Sequence, residues 1–569
     1  MANQTRGCIN STLGIDEACL VLKDLTNYPA IFHAIAREAY MGLGFPLANL
    51  EPGTNTSLII STKRPLHIYY QTIEDGQYRD NCHTAYNFKE HGLYRWNLSD
   101  GGICHEIETL RQPVQSYLPI FAVFMLLVIL AILRSATSVV IRVIRGKLSP
   151  DNVQDDLDRL QENESVTHTV IVTTKSSMRI KSVDAFRGIA LLLMIFVNNG
   201  GGQYVFFNHS AWFGLTVADL VLPWFAWVMG LSITISKRAE LRVTTSRLMI
   251  ITRCIRRFVL LILLGLMVNS IHSKTLHDLR IPGVLQLLAV AYFVCTILET
   301  IFMKPHTQDT LLQFGRFAMF RDIVDSWPQW LIMTCIVTTH TLITFLLPVP
   351  NCPSGFFSPG GKYQYYGKYE NCTAGAAGYI DRMLFGEHMY PVTNDPVYGP
   401  IARHDPEGLM NTISAIFIVY LGVHAGKILI QYYQCNSRVI RWLLWAVLTG
   451  IVAGILCKFS ASEGVIPISK KMMTLSYVLA CSSLAFLLYT ILYVLIDYKQ
   501  VWSGAPFIYA GSNPIFIYVG HVLTKGLFPW AWHYAHSCHA VELIINLWTT
   551  VLWGLIGYVL YRSDVIITI

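Results

Sequence analysis

Runs of about 20 predominantly apolar residues, the length a helix needs to cross the hydrocarbon core of a bilayer, recur from residue 118 to the end of the chain. About eleven can be counted. Their centres lie near Val128, Leu192, Leu222, Leu263, Ala291, Ile336, Val419, Ile451, Leu484, Ile517 and Trp553. Backbone in lipid must satisfy its own hydrogen bonds, so such runs fold as helices. Of the 569 residues, 53% are hydrophobic and 14% charged, against roughly 25% charged in a soluble domain. A chain so poor in charge must turn much of its surface to lipid, and it is neither disordered, collagen-like nor a nucleic-acid-binding module. The fold class expected is a polytopic α-helical membrane protein with about 11 transmembrane helices.

Residues 1 to about 115 contain no such run. Ser57–Thr72 is rich in Ile, Tyr and Thr and bounded by turn residues, so a small, mostly β domain is expected there. Its Cys8, Cys19, Cys82 and Cys104 admit three pairings, and their spacing is not that of a metal site. Cys352 and Cys372 lie in a second polar stretch, 349–409. Glycosylation sequons at Asn3, Asn10, Asn55, Asn97 and Asn371 coincide with these two Cys-bearing regions, as an oxidising lumen would have it. Basic residues mark the opposite side. Arg142, Arg145, Lys147, Lys175, Arg179 and Lys181 follow the first span, and Lys237, Arg238, Arg242, Arg247, Arg253, Arg256 and Arg257 follow the third. Arg316 and Arg321 follow the fifth, Arg438 and Arg441 the seventh. The topology expected is a luminal N-terminus and a cytosolic C-terminus. The expected divisions are a luminal glycosylated domain (1–115), a first transmembrane helix (116–142), a cytosolic linker (143–181) and a bundle (182–569) carrying the luminal loop 349–409. The polar stretch Ser149–Thr174 reads as flexible linker, so the sequon at Asn163 should stay unused. No apolar leader precedes Cys8, so the sequence is expected to start after a cleavage site or to lack its signal peptide.

Ionisable groups inside spans are costly and point to function. Asp184 and Arg187 open the second span, either as an i,i+3 pair anchoring a helix end or as a cytosolic ligand site. Asn198 and the triplet Gly200-Gly201-Gly202 close it, where glycines let backbone approach a ligand. His209 follows; a continuous helix would put it about 37 Å from Asp184, near the luminal face, where a lone histidine is more often a bystander than a catalyst. Asp219 falls inside the third span, facing a polar interior for structural or catalytic reasons. Asn269, Gln286, His340, His424, Asn513 and His521 can be hydrogen-bond glue between helices. Asn513 and His521, about two turns apart, should share a helix face, with a kink at Pro514. In 349–409, Asp405 and Glu407 among aromatics suit a sugar or an amine, or are simply solvated. A transporter and a membrane-embedded transferase both fit these residues.

Longer strings narrow the choice. Ser182-Val183-Asp184 with Phe186-Arg187-Gly188-Ile189-Ala190-Leu191, Phe196-Val197-Asn198, and Gly214-Leu215-Thr216-Val217-Ala218-Asp219-Leu220-Val221 with Pro223-Trp224-Phe225 resemble the family of lysosomal heparan-alpha-glucosaminide N-acetyltransferases. So do Arg280-Ile281-Pro282-Gly283-Val284-Leu285-Gln286, Ala377-Gly378-Tyr379-Ile380-Asp381-Arg382, Asp405-Pro406-Glu407-Gly408 and Tyr518-Val519-Gly520-His521. Phe213 and Leu287 depart from the family pattern, which has Asn and Arg there. The resemblance implies transfer of acetyl from cytosolic acetyl-CoA, across the lysosomal membrane, to the amine of the terminal glucosamine of heparan sulfate, by a homodimer. It implies His209 as the catalytic histidine with Asn198 as partner. Imidazole chemistry suits the task, as nucleophile or general base. The phosphates of acetyl-CoA call for cations, and Arg187, Arg253, Arg256 and Arg257, beside Asp184, lie on the cytosolic side. Asp405, Glu407, Asp219, Asn513 and His521 are the candidates for acceptor binding. No metal is expected. A transporter, or a related acyltransferase acting on another glycan, are the alternatives.

Overall fold

The computed structural model describes residues 8, 12–36, 44–74, 76–148, 180–243, 246–271, 273–303, 320–361, 364–395, 397–534 and 537–567. Asn3, Asn10, Asn163 and the linker Ser149–Thr174 lie outside the described residues.

The N-terminal region is β, as its composition implies. Its strands are β1 (Glu17–Asp24), β2 (Ala30–Ala36), β3 (Phe45–Leu50), β4 (Asn55–Ser61), β5 (Leu66–Glu74), β6 (Gln77–Tyr86), β7 (Leu93–Leu98) and β8 (Glu108–Arg111). They form two four-stranded sheets of order β4-β1-β7-β8 and β3-β2-β5-β6. β1 runs parallel to β7 and antiparallel to β4. Alternating residues of both sheets, among them Leu20, Leu22, Phe32, Ile68, Tyr70 and Trp96, share one core. Disulfides join Cys8 to Cys19 and Cys82 to Cys104, and a third joins Cys352 to Cys372.

The remainder is mainly helical, with one two-stranded sheet of Thr393–Asp395 and Gly399–Ile401. α1 (Leu118–Leu148) belongs to a unit of its own, and its first half, Leu118–Leu133, carries no charged residue. The other unit contains α2 (Lys181–Asn198), α3 (Val217–Val243), α4 (Arg247–Ser270), α5 (Val284–Phe302), α6 (Trp327–Leu346), α7 (Gly375–Phe385), α8 (Leu409–Gln431), α9 (Cys435–Leu456), α10 (Leu475–Leu492), α11 (Phe507–Ser512), α12 (Pro514–Leu523) and α13 (His539–Arg562). Every apolar centre read from the sequence falls in a helix. Among the described residues eight helices are long and apolar enough to cross a membrane, fewer than the eleven counted. The differences have local causes. Lys181, Asp184 and Arg187 charge the opening of α2, and Arg253, Arg256 and Arg257 that of α4. The run around Ile517 breaks at Asn513, whose φ of −126° and ψ of 56° are not helical, before Pro514 starts α12.

α8 is buried on all sides and packs along α3 and α5, as a helix apolar all round must. α3 and α8 cross closely because Gly230 faces Val419 O and Gly422 faces Trp227 O, where any Cβ would overlap the carbonyl. The segments 199–216, 271–283, 347–408 and 457–474 meet at one end of the bundle. Gly214 N donates to Ile468 O at 2.9 Å, Trp212 Nε1 to Phe357 O at 2.7 Å, and Ile281 N to His388 O at 3.1 Å.

Candidate active site

α2 ends at Asn198 because Gly200, Gly201 and Gly202 take φ values of 117°, 57° and 70°, a region open to glycine and strained for other residues. The chain therefore turns, and the helical extrapolation to His209 fails. His209 instead lies in the loop entering α3. Asp219 stands in the first turn of α3, fully buried, and holds that loop in place. Its Oδ2 accepts from Ser210 N (3.1 Å), Thr216 N (3.2 Å) and Thr216 Oγ1 (2.9 Å). Its Oδ1 lies 2.9 Å from His209 Nδ1. A carboxylate only accepts, so Nδ1 carries the proton and Nε2 presents a lone pair. The His209 side chain is 47% exposed and that of Asp219 0%: a buried carboxylate orients a half-exposed imidazole.

Lys470 completes the group. Its Nζ lies 3.0 Å from His209 Nδ1, 3.3 Å from Nε2 and 3.8 Å from Asp219 Oδ1. Burial pulls the Lys470 ammonium below the usual lysine range, while Asp219 and Glu407 pull it back up. Tyr477, on α10, donates to the Asp219 main-chain carbonyl at 2.5 Å.

Asp405 and Glu407 are at the same end but do not stand free. Arg280 donates from Nε to Asp405 Oδ2 at 2.7 Å and from Nη2 to Asp405 Oδ1 at 2.5 Å, and the same Nη2 bonds Glu407. The guanidinium stacks 3.8 Å from the Tyr390 ring centre. This bidentate pair ties 271–283 to 347–408. Burial lifts Glu407 above the ordinary carboxylate range and Arg280 opposes it. Asn198 Nδ2 lies 3.4 Å from His521 Nε2, so these two candidates meet each other. Asn513 precedes α12 rather than lying in it, so it shares no helix face with His521. Its Nδ2 donates to Val565 O and its Oδ1 accepts from Ile567 N, both at 2.8 Å, holding the chain after α13.

The candidates for donor binding divide. Arg187 is half-buried and donates to Asp184 Oδ1 (3.1 Å), Gly511 O (3.1 Å) and Ser232 Oγ (2.7 Å), which knits α2, α3 and α11 together. Arg253 and Arg256 are exposed on α4, and Arg257 lies 4.7 Å over the Tyr292 ring. Three guanidiniums within about one turn of a helix suit phosphate oxygens.

Sequence reasoning missed the roles of Lys470, Arg280 and Tyr477. For Lys470 a signal existed: Lys470-Lys471 sits in a segment that the charge pattern assigns to the side poor in lysine. It also missed a second buried network, at the far end of α8. There Lys427 pairs with Glu299 at 2.9 Å, His424 lies 3.4 Å from Asp322 Oδ2, and Tyr432 donates to Asp322 at 3.1 Å.

A family model described as "Heparan-alpha-glucosaminide N-acetyltransferase, catalytic" matches residues 179–350, which include His209 and Asp219. The mouse protein named heparan-alpha-glucosaminide N-acetyltransferase is 38% identical over 591 residues, spanning 97% of this chain and 89% of that protein. The human protein of the same name is 38% identical over 515 residues, spanning 86% of this chain and 77% of its own.

Proposed function

This chain belongs to the heparan-alpha-glucosaminide N-acetyltransferase family, and from that premise we propose that it transfers acetyl from acetyl-CoA to the amine of a terminal α-glucosamine of heparan sulfate. The observation that carries the reading is the buried Asp219 holding the half-exposed His209 by Nδ1, which leaves the Nε2 lone pair on the side away from the carboxylate. In the reaction the amine nitrogen forms a bond to the thioester carbonyl carbon and the carbon–sulfur bond breaks. The amine proton passes to His209 Nε2 and from there to the departing thiolate. Asp219 keeps the imidazole in the tautomer this requires and balances the charge it gains. Direct transfer with both substrates bound is the route proposed here, since a base suffices and no covalent carrier is needed.

The rest of the reading concerns place and ligands. The end of the bundle holding His209 is luminal, the C-terminus cytosolic, and the membrane that of the lysosome, where the protein acts as a homodimer. Acetyl-CoA enters from the cytosolic side, with Arg253, Arg256 and Arg257 toward its phosphates. Arg187, already bonded within the bundle, has the weaker case.

The test is acetylation of glucosamine by purified protein given acetyl-CoA. Removing a general base costs about 10²–10⁴ in rate, so His209→Ala should lose nearly all turnover while still binding acetyl-CoA. Asp219→Asn should also lose turnover, since the amide offers His209 Nδ1 a different partner. Full activity in His209→Ala would remove the reading. Radiolabel appearing on His209 from acetyl-CoA alone, at a competent rate, would replace direct transfer with a covalent route.

A further inference from the structure

Lys470 touches the catalytic pair, and the reaction as written gives it no task. Its position is built. On one side of it Ile468 O accepts from Gly214 N at 2.9 Å, in the loop that carries His209. On the other, Lys471 O is bound by Asn411 Nδ2 at 2.8 Å and by His404 Nε2 at 2.7 Å. Ser469 N donates to Thr474 Oγ1 at 3.1 Å, and Thr474 Oγ1 donates to Pro467 O at 2.8 Å. The segment is thus pinned before, at and after Lys470, and its side chain is 17% exposed. A lysine that served only solubility would extend into water.

The contact geometry limits what it does. Nζ is nearly equidistant from the two ring nitrogens, 3.0 and 3.3 Å. An in-line donor to one lone pair would be close to one nitrogen and well beyond reach of the other. The ammonium therefore lies out of line with either ring lone pair, beside the catalytic imidazole. Nearby cations are otherwise engaged: Arg280 is bound by Asp405 and Glu407, and Lys471 sits 5.2 Å over the Trp212 ring. Asn198, the partner of His209 that the family resemblance implies, is beside His521.

We infer that Lys470 is a further catalytic residue, whose ammonium stabilises the oxyanion formed when the amine adds to the thioester at His209. As the nitrogen–carbon bond forms, the carbonyl π electrons move to oxygen. They return when the carbon–sulfur bond breaks, and the thiolate leaves with the amine's proton by way of His209. Lys470 neither gains nor loses a proton in this cycle; it supplies fixed positive charge where negative charge develops. The proposal rests on the assignment of His209 as base.

Groups facing Lys470 are His209 and Asp219 from the α3 side, Glu407 from 347–408, Lys471 beside it, and Cys481 from α10. Removing one oxyanion donor costs about 10²–10³ in turnover. Lys470→Met should therefore lower kcat by about that factor, with acetyl-CoA affinity and melting temperature unchanged, and Lys470→Arg should recover part of it. The wild-type kcat should fall at alkaline pH as Lys470 loses its proton, and in Lys470→Arg that limb should shift upward or vanish, since guanidinium stays charged. A kcat for Lys470→Met within about threefold of wild type overturns the proposal, against the 10²-fold floor. So does an alkaline limb identical in wild type and Lys470→Arg, which also decides the matter if the Met variant does not fold. Full activity in His209→Ala would instead overturn the underlying assignment. An inactive His209→Ala beside a fully active Lys470→Met removes only the role of Lys470.

Discussion

Asp381 and His404 are both buried in 347–408 and respond to pH in opposite senses. Burial pushes the Asp381 carboxyl up to about 7, although Leu409 N donates to it at 2.9 Å. Burial pushes His404 down to about 4, although its bond to Lys471 O opposes this. Between pH 4 and 6.5 the unfolded chain protonates His404 and the folded chain does not, so the stability it contributes is present above 6.5 and lost as pH falls toward 4. Asp381 behaves inversely: the folded state keeps its proton up to about 7, so its contribution is present at acid pH and lost as pH rises from 3.8 to 7. In the wild type the two slopes largely offset. Asp381→Asn removes one of them and keeps an acceptor for Leu409. The variant's melting temperature should therefore rise with pH between about 4 and 6.5, by an amount reflecting about 3 kcal/mol from His404, and its advantage over wild type should be greatest above about pH 7. A variant profile as flat as wild type would show that Asp381 is not the opposing group.

At the scale of elements, the distance between the two halves of the site is set by how closely α3 and α8 cross. α3 begins beside Asp219, and α8 begins just after Asp405 and Glu407. The crossing depends on Gly230 and Gly422, each against a carbonyl of the other helix. Gly422→Val must move α8 away from Trp227 O. Overpacking of this kind costs about 1–3 kcal/mol, occasionally more, and the displacement should lower kcat through the site as well as lower the melting temperature. A methyl group on Gly554, in α13, would meet nothing within 4 Å, so Gly554→Ala should leave both unchanged. Equal effects from the two substitutions, read by thermal melting and turnover, would mean that the crossing does not govern the site. The same pattern joins α2 to α11 through Gly188 and Gly511.

At the scale of the whole molecule, the β region is held to the catalytic end by His539, at the start of α13. Its Nε2 lies 3.3 Å from Asp16 and 3.5 Å from Glu90, and its Nδ1 lies 2.9 Å from Gly202 O, in the turn that leads to His209. The β region, the Cys352–Cys372 disulfide and Asn371 therefore share the end of the bundle that carries His209. Asn55 and Asn371 are exposed there. If that end is luminal, glycosidase treatment should increase the protein's gel mobility, and Asn371→Gln should shrink the shift. An unglycosylated Asn371 that luminal reagents cannot reach would reverse the orientation.

Membrane spans were legible in the chain because a span is a local property: about 20 apolar residues in sequence satisfy lipid whatever surrounds them. The β character of the N-terminal region was legible for the same reason, since alternation and turn residues act over short range. His209 and Asp219 were visible as polar residues out of place, but their partnership was not. It depends on the turn at Gly200–Gly202 and on a carboxylate ten residues away closing back onto the loop. Pairings such as Arg280 with Asp405, Lys470 with His209 and Asn198 with His521 join residues separated by 125, 261 and 323 positions. No local pattern encodes these, because each arises where two segments are carried to the same point by helices packed elsewhere. Sequence by itself determined a bundle of apolar helices and its stock of reactive side chains. Tertiary structure decided which of those side chains meet, since charge pairing and hydrogen bonding act over a few ångströms and only the packed helices set such distances.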